Sequence, residues 1–111
     1  MNKFQKSLIE KGCCDERGAG FAANADLLPN GTWGLVLLCV KGNDLLVYET
    51  NARTEPGRLL SRIPLCAVED LSIHGLIIKK LSFTYKGFLY SFDNLIGLKK
   101  QLSVIEEEAG V

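Results

Sequence analysis

Residues 80–94, Lys-Leu-Ser-Phe-Thr-Tyr-Lys-Gly-Phe-Leu-Tyr-Ser-Phe-Asp-Asn, decide the fold of this chain. Large apolar and small polar side chains alternate on both sides of Lys86-Gly87, which is typical of two half-buried strands joined by a tight turn. Glycine supplies the positive φ that such a turn needs. A two-residue turn pairs the residues of the apolar face as follows: Tyr85 with Phe88, Phe83 with Tyr90, and Leu81 with Phe92. A slip of one residue would move them to the polar face, so the pattern predicts one register.

A helix is expected directly after this hairpin. Asp93 or Asn94 is a suitable N-cap, because both side chains accept hydrogen bonds from free backbone N–H groups. The apolar residues that follow are spaced three and four apart, as on one face of a helix: Leu95, Leu98, Leu102 and Ile105. The sequence therefore predicts a C-terminal amphipathic helix whose apolar stripe packs on the strands.

The chain upstream of this segment is also mostly β-structure. Strands are predicted at 33–40 and 45–50 around the turn Gly42-Asn43, and a short helix at 3–11 that Gly12 ends. Three further strands are predicted at 20–28, 58–64 and 68–74. About seven short antiparallel strands favour a sandwich or barrel, closed here by the C-terminal helix. We divide the chain into an N-terminal helix and linker at 1–17 and one β-domain at 18–111.

The composition argues against several classes of function. The 111 residues include 13 basic and 13 acidic side chains, so no general attraction to nucleic acid is expected. The longest apolar run, 34–40, is too short to cross a bilayer, and the N-terminus lacks the apolar core of a signal peptide. We expect a soluble cytoplasmic protein.

The order of elements resembles the pleckstrin-homology (PH) superfold, and more closely the small bacterial PH-like and GRAM-like domains. The segments that carry the resemblance are Gly34–Leu38, Asp44–Tyr48, Ile63–Ile73, Leu81–Phe92 and the closing helix. The resemblance implies a PH-like barrel and a non-catalytic binding module. Related PH domains bind phosphoinositides through basic residues in the first inter-strand loop. The corresponding loop here, 28–32, Leu-Pro-Asn-Gly-Thr, contains none, so we do not transfer lipid binding from the resemblance.

The hairpin turned by Gly42-Asn43 is apolar on both faces, and only one face can line the core. The other face is the candidate surface for self-association or a protein partner, because monomers seldom expose such a patch. Its residues are Leu35, Leu37, Cys39, Leu46 and Tyr48. The alternative is that the N-terminal helix, with Phe4 and Leu8, covers this face within one chain.

A second hypothesis is peripheral binding to an anionic lipid or membrane surface. The candidate contacts are Arg53, Arg58, Arg62, Lys79 and Lys80. Salt-sensitive binding to anionic vesicles would follow. Ordinary solvated surface charges are the competing interpretation.

No motif indicates an enzyme, a cofactor or a metal. A zinc site from Cys13, Cys14 and His74 is disfavoured, because adjacent thiolates suit a tetrahedron poorly. Residues 18–23, Gly-Ala-Gly-Phe-Ala-Ala, match the GxGxxA dinucleotide pattern without the strand before it and the helix after it that phosphate binding requires. We therefore predict a binding module without catalytic residues.

Overall fold

A computed structural model describes residues 1–111 as one curled antiparallel sheet, a half-barrel, with a helix at each end of the chain. The helices are α1 (Lys3–Glu10) and α2 (Lys99–Ala109), and a 3₁₀ turn spans Leu65–Ala67. The strands are β1 (Gly20–Ala25), β2 (Gly34–Lys41), β3 (Asp44–Glu49), β4 (Leu59–Pro64), β5 (Glu69–His74), β6 (Ile78–Tyr85) and β7 (Phe88–Ile96). Seven strands and two helices confirm the fold class predicted from the sequence.

The strands lie in the order β4-β3-β2-β1-β7-β6-β5. Successive strands therefore form hairpins, except for β4 and β5, which lie at the two edges of the sheet, and the pairing of β1 with β7 joins its two halves. That pairing is limited to the C-terminal end of β1, where Ala25 lies opposite Phe92. Both tight hairpins have the predicted register, with Lys41 opposite Asp44 and Tyr85 opposite Phe88.

The concave face of the sheet holds the main core. The aromatic residues of the β6–β7 hairpin lie there, with the rings of Phe83 and Tyr90 stacked 5.1 Å apart between centroids. Phe83, Phe92, Leu102 and Ile105 belong to one cluster of 19 buried apolar residues. The apolar faces predicted for the hairpin and for α2 thus pack against each other, and this packing closes one end of the half-barrel.

The junction between β7 and α2 differs from the sequence prediction. The strand continues to Ile96 and the helix begins only at Lys99, because β6 starts early enough to pair Ile78 with Ile96 and Lys79 with Leu95. Asn94 adopts a positive φ of 64° where the register of the pair shifts. Leu95 is therefore buried as a strand residue and is not part of the helical stripe.

The N-terminal helix is well specified locally. Asn2 and Gln5 form a capping box in which each side chain accepts from the other residue's backbone N–H. Of its eight residues only Leu8 is fully buried. No helix of the structure has the length and apolar character needed to span a bilayer.

Candidate functional site

The convex face of β2 and β3, which the sequence offers as an interaction surface, is largely covered by α1. Leu37 and Cys39 have no solvent-exposed surface and Leu46 is buried as well. They form a second apolar cluster with Leu8 and with the thiols that follow the helix. The N-terminal helix therefore covers this face within one chain. Leu37, Cys39 and Leu46 are not accessible to a partner.

Part of the convex face stays open beyond α1. Leu35 is 46% exposed and Tyr48 is half-buried, with Leu59 of β4 paired directly opposite Tyr48. Trp33, just before β2, is 75% exposed. These four residues form a narrow apolar rim, which we call the β2 rim.

Three of the four cysteines lie under α1 and only Cys66 is exposed. Burial raises the pKa of the Cys14 thiol to about 11, and burial also raises the pKa of Cys39. Protonated thiols are poor nucleophiles and poor metal ligands. No group of three or more His, Cys, Asp or Glu side chains is arranged to hold a metal ion, and His74 lies on β5, away from the buried thiols.

A polar network fixes the linker after α1. The Asp15 carboxylate accepts hydrogen bonds from the Arg17 guanidinium at 2.7 Å and from the Gly42 N–H at 2.8 Å. Arg17 also pairs with Glu108 of α2 at 3.2 Å. The hydrogen bonds from Arg17 and then from the Gly42 backbone lower the pKa of Asp15 to about 2, against the opposing effect of burial. This network connects the linker, the β2–β3 turn and the end of α2, which indicates a structural role.

The basic residues proposed from the sequence do not form one cluster. Arg58 pairs with Glu49 at 3.5 Å and Arg62 with Asp44 at 2.7 Å, both on the β3–β4 side of the sheet. Arg53 lies in the loop between these strands. Lys79 and Lys80 lie on β6, which four strands separate from β4 in the sheet order. The arginines and the lysines therefore belong to different surfaces.

Lys79 and Lys80 lie at one end of the molecule together with two lysines that the sequence analysis did not select. Ile78 pairs with Ile96, and the chain continues from Ile96 through Gly97 and Leu98 into Lys99 and Lys100. No lysine of the chain takes part in an ion pair, these four included. We call this end of the molecule, residues 74–80 and 96–100, the basic end.

A signal for the basic end was present in the sequence. Residues 71–105 contain five lysines and one acidic residue, Asp93, which gives this segment a net charge of +4 in a chain whose total is zero. The overall balance hides the asymmetry, so composition alone suggests no anionic partner. Counting charge by segment would have found it.

The surface has three shallow clefts, and none is lined by a cysteine or a histidine. One, of about 380 Å³, lies between the start of α1 and α2 and is lined by Gln5, Arg17, Lys100 and Gln101 among others. Its arginine is already held by Asp15 and Glu108.

Comparison with solved structures gives the fold. The chain superposes on the Slm1-PH domain, determined in complex with inositol-4-phosphate, with a TM-score of 0.51 and 10% identity, covering 81% of this chain and 92% of that chain. It superposes on Inner Membrane Complex Sub-compartment Protein 3 (ISP3) of Toxoplasma gondii with a TM-score of 0.53 and 15% identity, covering 99% and 86%. No protein-family model and no curated protein sequence matches the chain. At these identities the likeness establishes a PH-like fold.

Proposed function

We propose that this chain is a non-catalytic binding module of PH-like fold that docks on anionic membrane surfaces. The observation that carries the proposal is the basic end, where Ile78 pairs with Ile96 and two adjoining segments bring four lysines, none of them in an ion pair, to one end of the molecule. Each lysine near an anionic surface contributes about 1 kcal/mol to binding. Four of them on one end give the molecule a defined docking orientation.

Two further observations support this proposal. The Slm1-PH domain, whose fold this chain shares, was determined with inositol-4-phosphate bound. The chain also has four free cysteines, which is typical of a reducing compartment such as the cytoplasm, and the cytoplasmic leaflet is the anionic one. We therefore place the protein at the cytoplasmic face of a membrane, and we retain the closer relation to bacterial PH-like and GRAM-like domains as a proposal from the sequence pattern.

The arginines named with Lys79 and Lys80 in the sequence analysis have a smaller part in this proposal. Arg58 and Arg62 already have carboxylate partners, so a lipid phosphate would have to compete with them. The first inter-strand loop has no basic residue at 28–32. Lys99 and Lys100 replace the arginines as the expected contacts.

Co-sedimentation with vesicles tests the proposal. The protein should bind vesicles that contain phosphatidylserine and not vesicles of pure phosphatidylcholine. Lys79→Gln with Lys80→Gln should weaken binding roughly thirtyfold, from two lysines at about 1 kcal/mol each. Lys11→Gln with Lys86→Gln removes the same charge from exposed positions outside the basic end, at the end of α1 and at the β6–β7 turn, and is the control. Equal loss in both double variants, or no binding by the wild type, would contradict the proposal.

Self-association or protein binding through the β2 rim is a second candidate function. The observation in its favour is the exposure of Trp33 beside Leu35, since aromatic residues are enriched at protein interfaces. Leu35→Asp tests this surface, because Leu35 is exposed, whereas Leu37→Asp would place a charge in the buried cluster and unfold the protein. Light scattering should then show a wild-type oligomer and a folded Leu35→Asp monomer. A monomeric wild type at all concentrations excludes self-association.

A further inference from the structure

The turn between β5 and β6 exposes consecutive large aliphatic side chains. Leu76 is 96% exposed, Ile77 78% and Ile78 60%. Ile96, directly opposite Ile78 on β7, is 57% exposed and extends the apolar surface behind the turn. Single exposed aliphatic residues are ordinary, but a contiguous group at one turn indicates a contact surface. We call Leu76, Ile77 and Ile78 the tip.

The tip is held in place by its own backbone. Gly75 has a φ of +113°, and a Cβ at this position would overlap the carbonyl oxygen of Ile78. His74 pairs with Lys80 just before the turn, and Ile78 pairs with Ile96 on the other side. The glycine thus permits a tight turn that directs Leu76 and Ile77 away from the sheet.

The shape and charge of this end of the molecule favour a lipid bilayer as its binding partner. One shallow cleft reaches this end through Ile96 and Leu98, but none of the three clefts is lined by Leu76, Ile77 or Ile78, so the turn itself offers no groove for a peptide. A second copy docked by two-fold symmetry would bring the same unpaired lysines against each other. An anionic bilayer instead accepts apolar side chains below its headgroups while the headgroups meet the lysines.

We propose that the β5–β6 turn inserts Leu76 and Ile77 into the interfacial region of an anionic bilayer. Ile78 and Ile96 then lie at the level of the headgroups. The anionic headgroups contact the lysines of the basic end: Lys79, Lys80, Lys99 and Lys100. This inference rests on the proposed function and assigns its inserting element. Binding then has two components, a salt-sensitive one from the lysines and a salt-resistant one from the apolar tip.

The experiment compares vesicle binding at low salt and at about 1 M salt, where the Debye length is about 3 Å. The wild type should keep measurable binding at high salt. Leu76→Ser with Ile77→Ser should lower high-salt binding at least about tenfold, as expected for two buried aliphatic side chains. Leu27→Ser with Leu89→Ser is the matched control, since both residues are exposed, Leu27 in the β1–β2 loop and Leu89 at the other end of the β6–β7 hairpin from Ile78 and Ile96.

A spectroscopic readout reports insertion independently. Ile77→Trp in a Trp33→Phe background leaves one tryptophan, whose emission should shift to the blue on anionic vesicles as the indole enters the interface. A tryptophan at Leu89 in the same background should not shift. Both changes are at exposed positions, so the variants should fold.

The outcomes separate the inference from the proposed function. If the wild type binds no vesicles, both are overturned. If it binds at low salt but the high-salt component is absent, or the tip variant keeps that component, only the insertion is overturned. If the wild type is a dimer that Leu76→Ser with Ile77→Ser makes monomeric, the tip is a self-association surface and insertion is overturned.

Discussion

Asp15 shows how single residues connect segments that are distant in the sequence. Its carboxylate accepts from Arg17 and from the N–H of Gly42, and Arg17 reaches Glu108 near the end of α2. Nothing in the local pattern Cys-Cys-Asp-Glu-Arg predicts these partners, because an exposed acidic and basic pair two residues apart is common in a linker. The network requires the β2–β3 turn and the end of α2 to lie next to the linker.

The stability that Asp15 provides should depend on pH. Its folded-state pKa of about 2 lies below the ordinary value of 3.8, so ionised Asp15 stabilises the fold above about pH 4, and this contribution is lost as the pH falls toward 2. Asp15→Asn should lower the free energy of unfolding by about 1 kcal/mol near neutral pH. Urea unfolding should show the difference from wild type shrinking in acid.

Glu16→Gln is the control for this pH effect. Glu16 is exposed and makes no hydrogen bond or ion pair, so its replacement should leave the free energy of unfolding within about 0.5 kcal/mol of the wild-type value. A difference between Asp15→Asn and wild type that stays constant from neutral to acid pH would contradict the assigned role of the carboxylate.

Among the elements, α1 decides whether the convex face of β2 and β3 is open to a partner. It is short, and isolated helices of this length are marginal in water, so its stability depends on packing Leu8 against Leu37, Cys39 and Leu46. The sequence predicted both the helix and an apolar face that needed a cover. It did not decide between α1 and a partner, because apolar residues on one face are compatible with either.

Leu8→Ala should weaken the packing of α1 on the convex face of β2 and β3. Removing a buried leucine side chain should lower the free energy of unfolding by about 3 kcal/mol through lost burial and the remaining cavity. The thiols of Cys13, Cys14 and Cys39 should then react faster with Ellman's reagent, whereas in the wild type only the exposed Cys66 should react quickly. Lys6→Ala changes an exposed residue of the same helix and should alter neither quantity. Unchanged thiol reactivity in Leu8→Ala would show that α1 does not protect the cluster.

At the scale of the whole molecule, two apolar clusters share the strands β2 and β3. The concave cluster contains Leu38 and Val47, and the convex cluster contains Leu37 and Leu46, which alternate with them along the same strands. Residues 1–17 therefore contribute to the packing of 18–111, although the sequence suggested a boundary between them. We propose that the chain unfolds as one cooperative unit.

Equilibrium unfolding in urea checks this proposal. The loss of sheet signal in far-ultraviolet circular dichroism and the exposure of the buried thiols should have the same midpoint. Replacing Leu89, an exposed residue outside both clusters, by Ser should leave the two midpoints together. Thiol exposure at a clearly lower urea concentration would show that α1 detaches before the sheet unfolds.

The sequence by itself determined the strand number, both tight hairpin registers, the N-terminal helix and the apolar side of α2. Each of these follows from side-chain periodicity or turn chemistry within a few residues, which acts before tertiary contacts form. Only the tertiary structure decided where β7 ends, what covers the convex face, and which basic residues lie together. Leu95 is a strand residue because β6 offers it a partner, and the lysines of β6 and α2 meet because Ile78 pairs with Ile96. Pairing between distant segments sets these features, and a local pattern contains no information about which segment will be the partner.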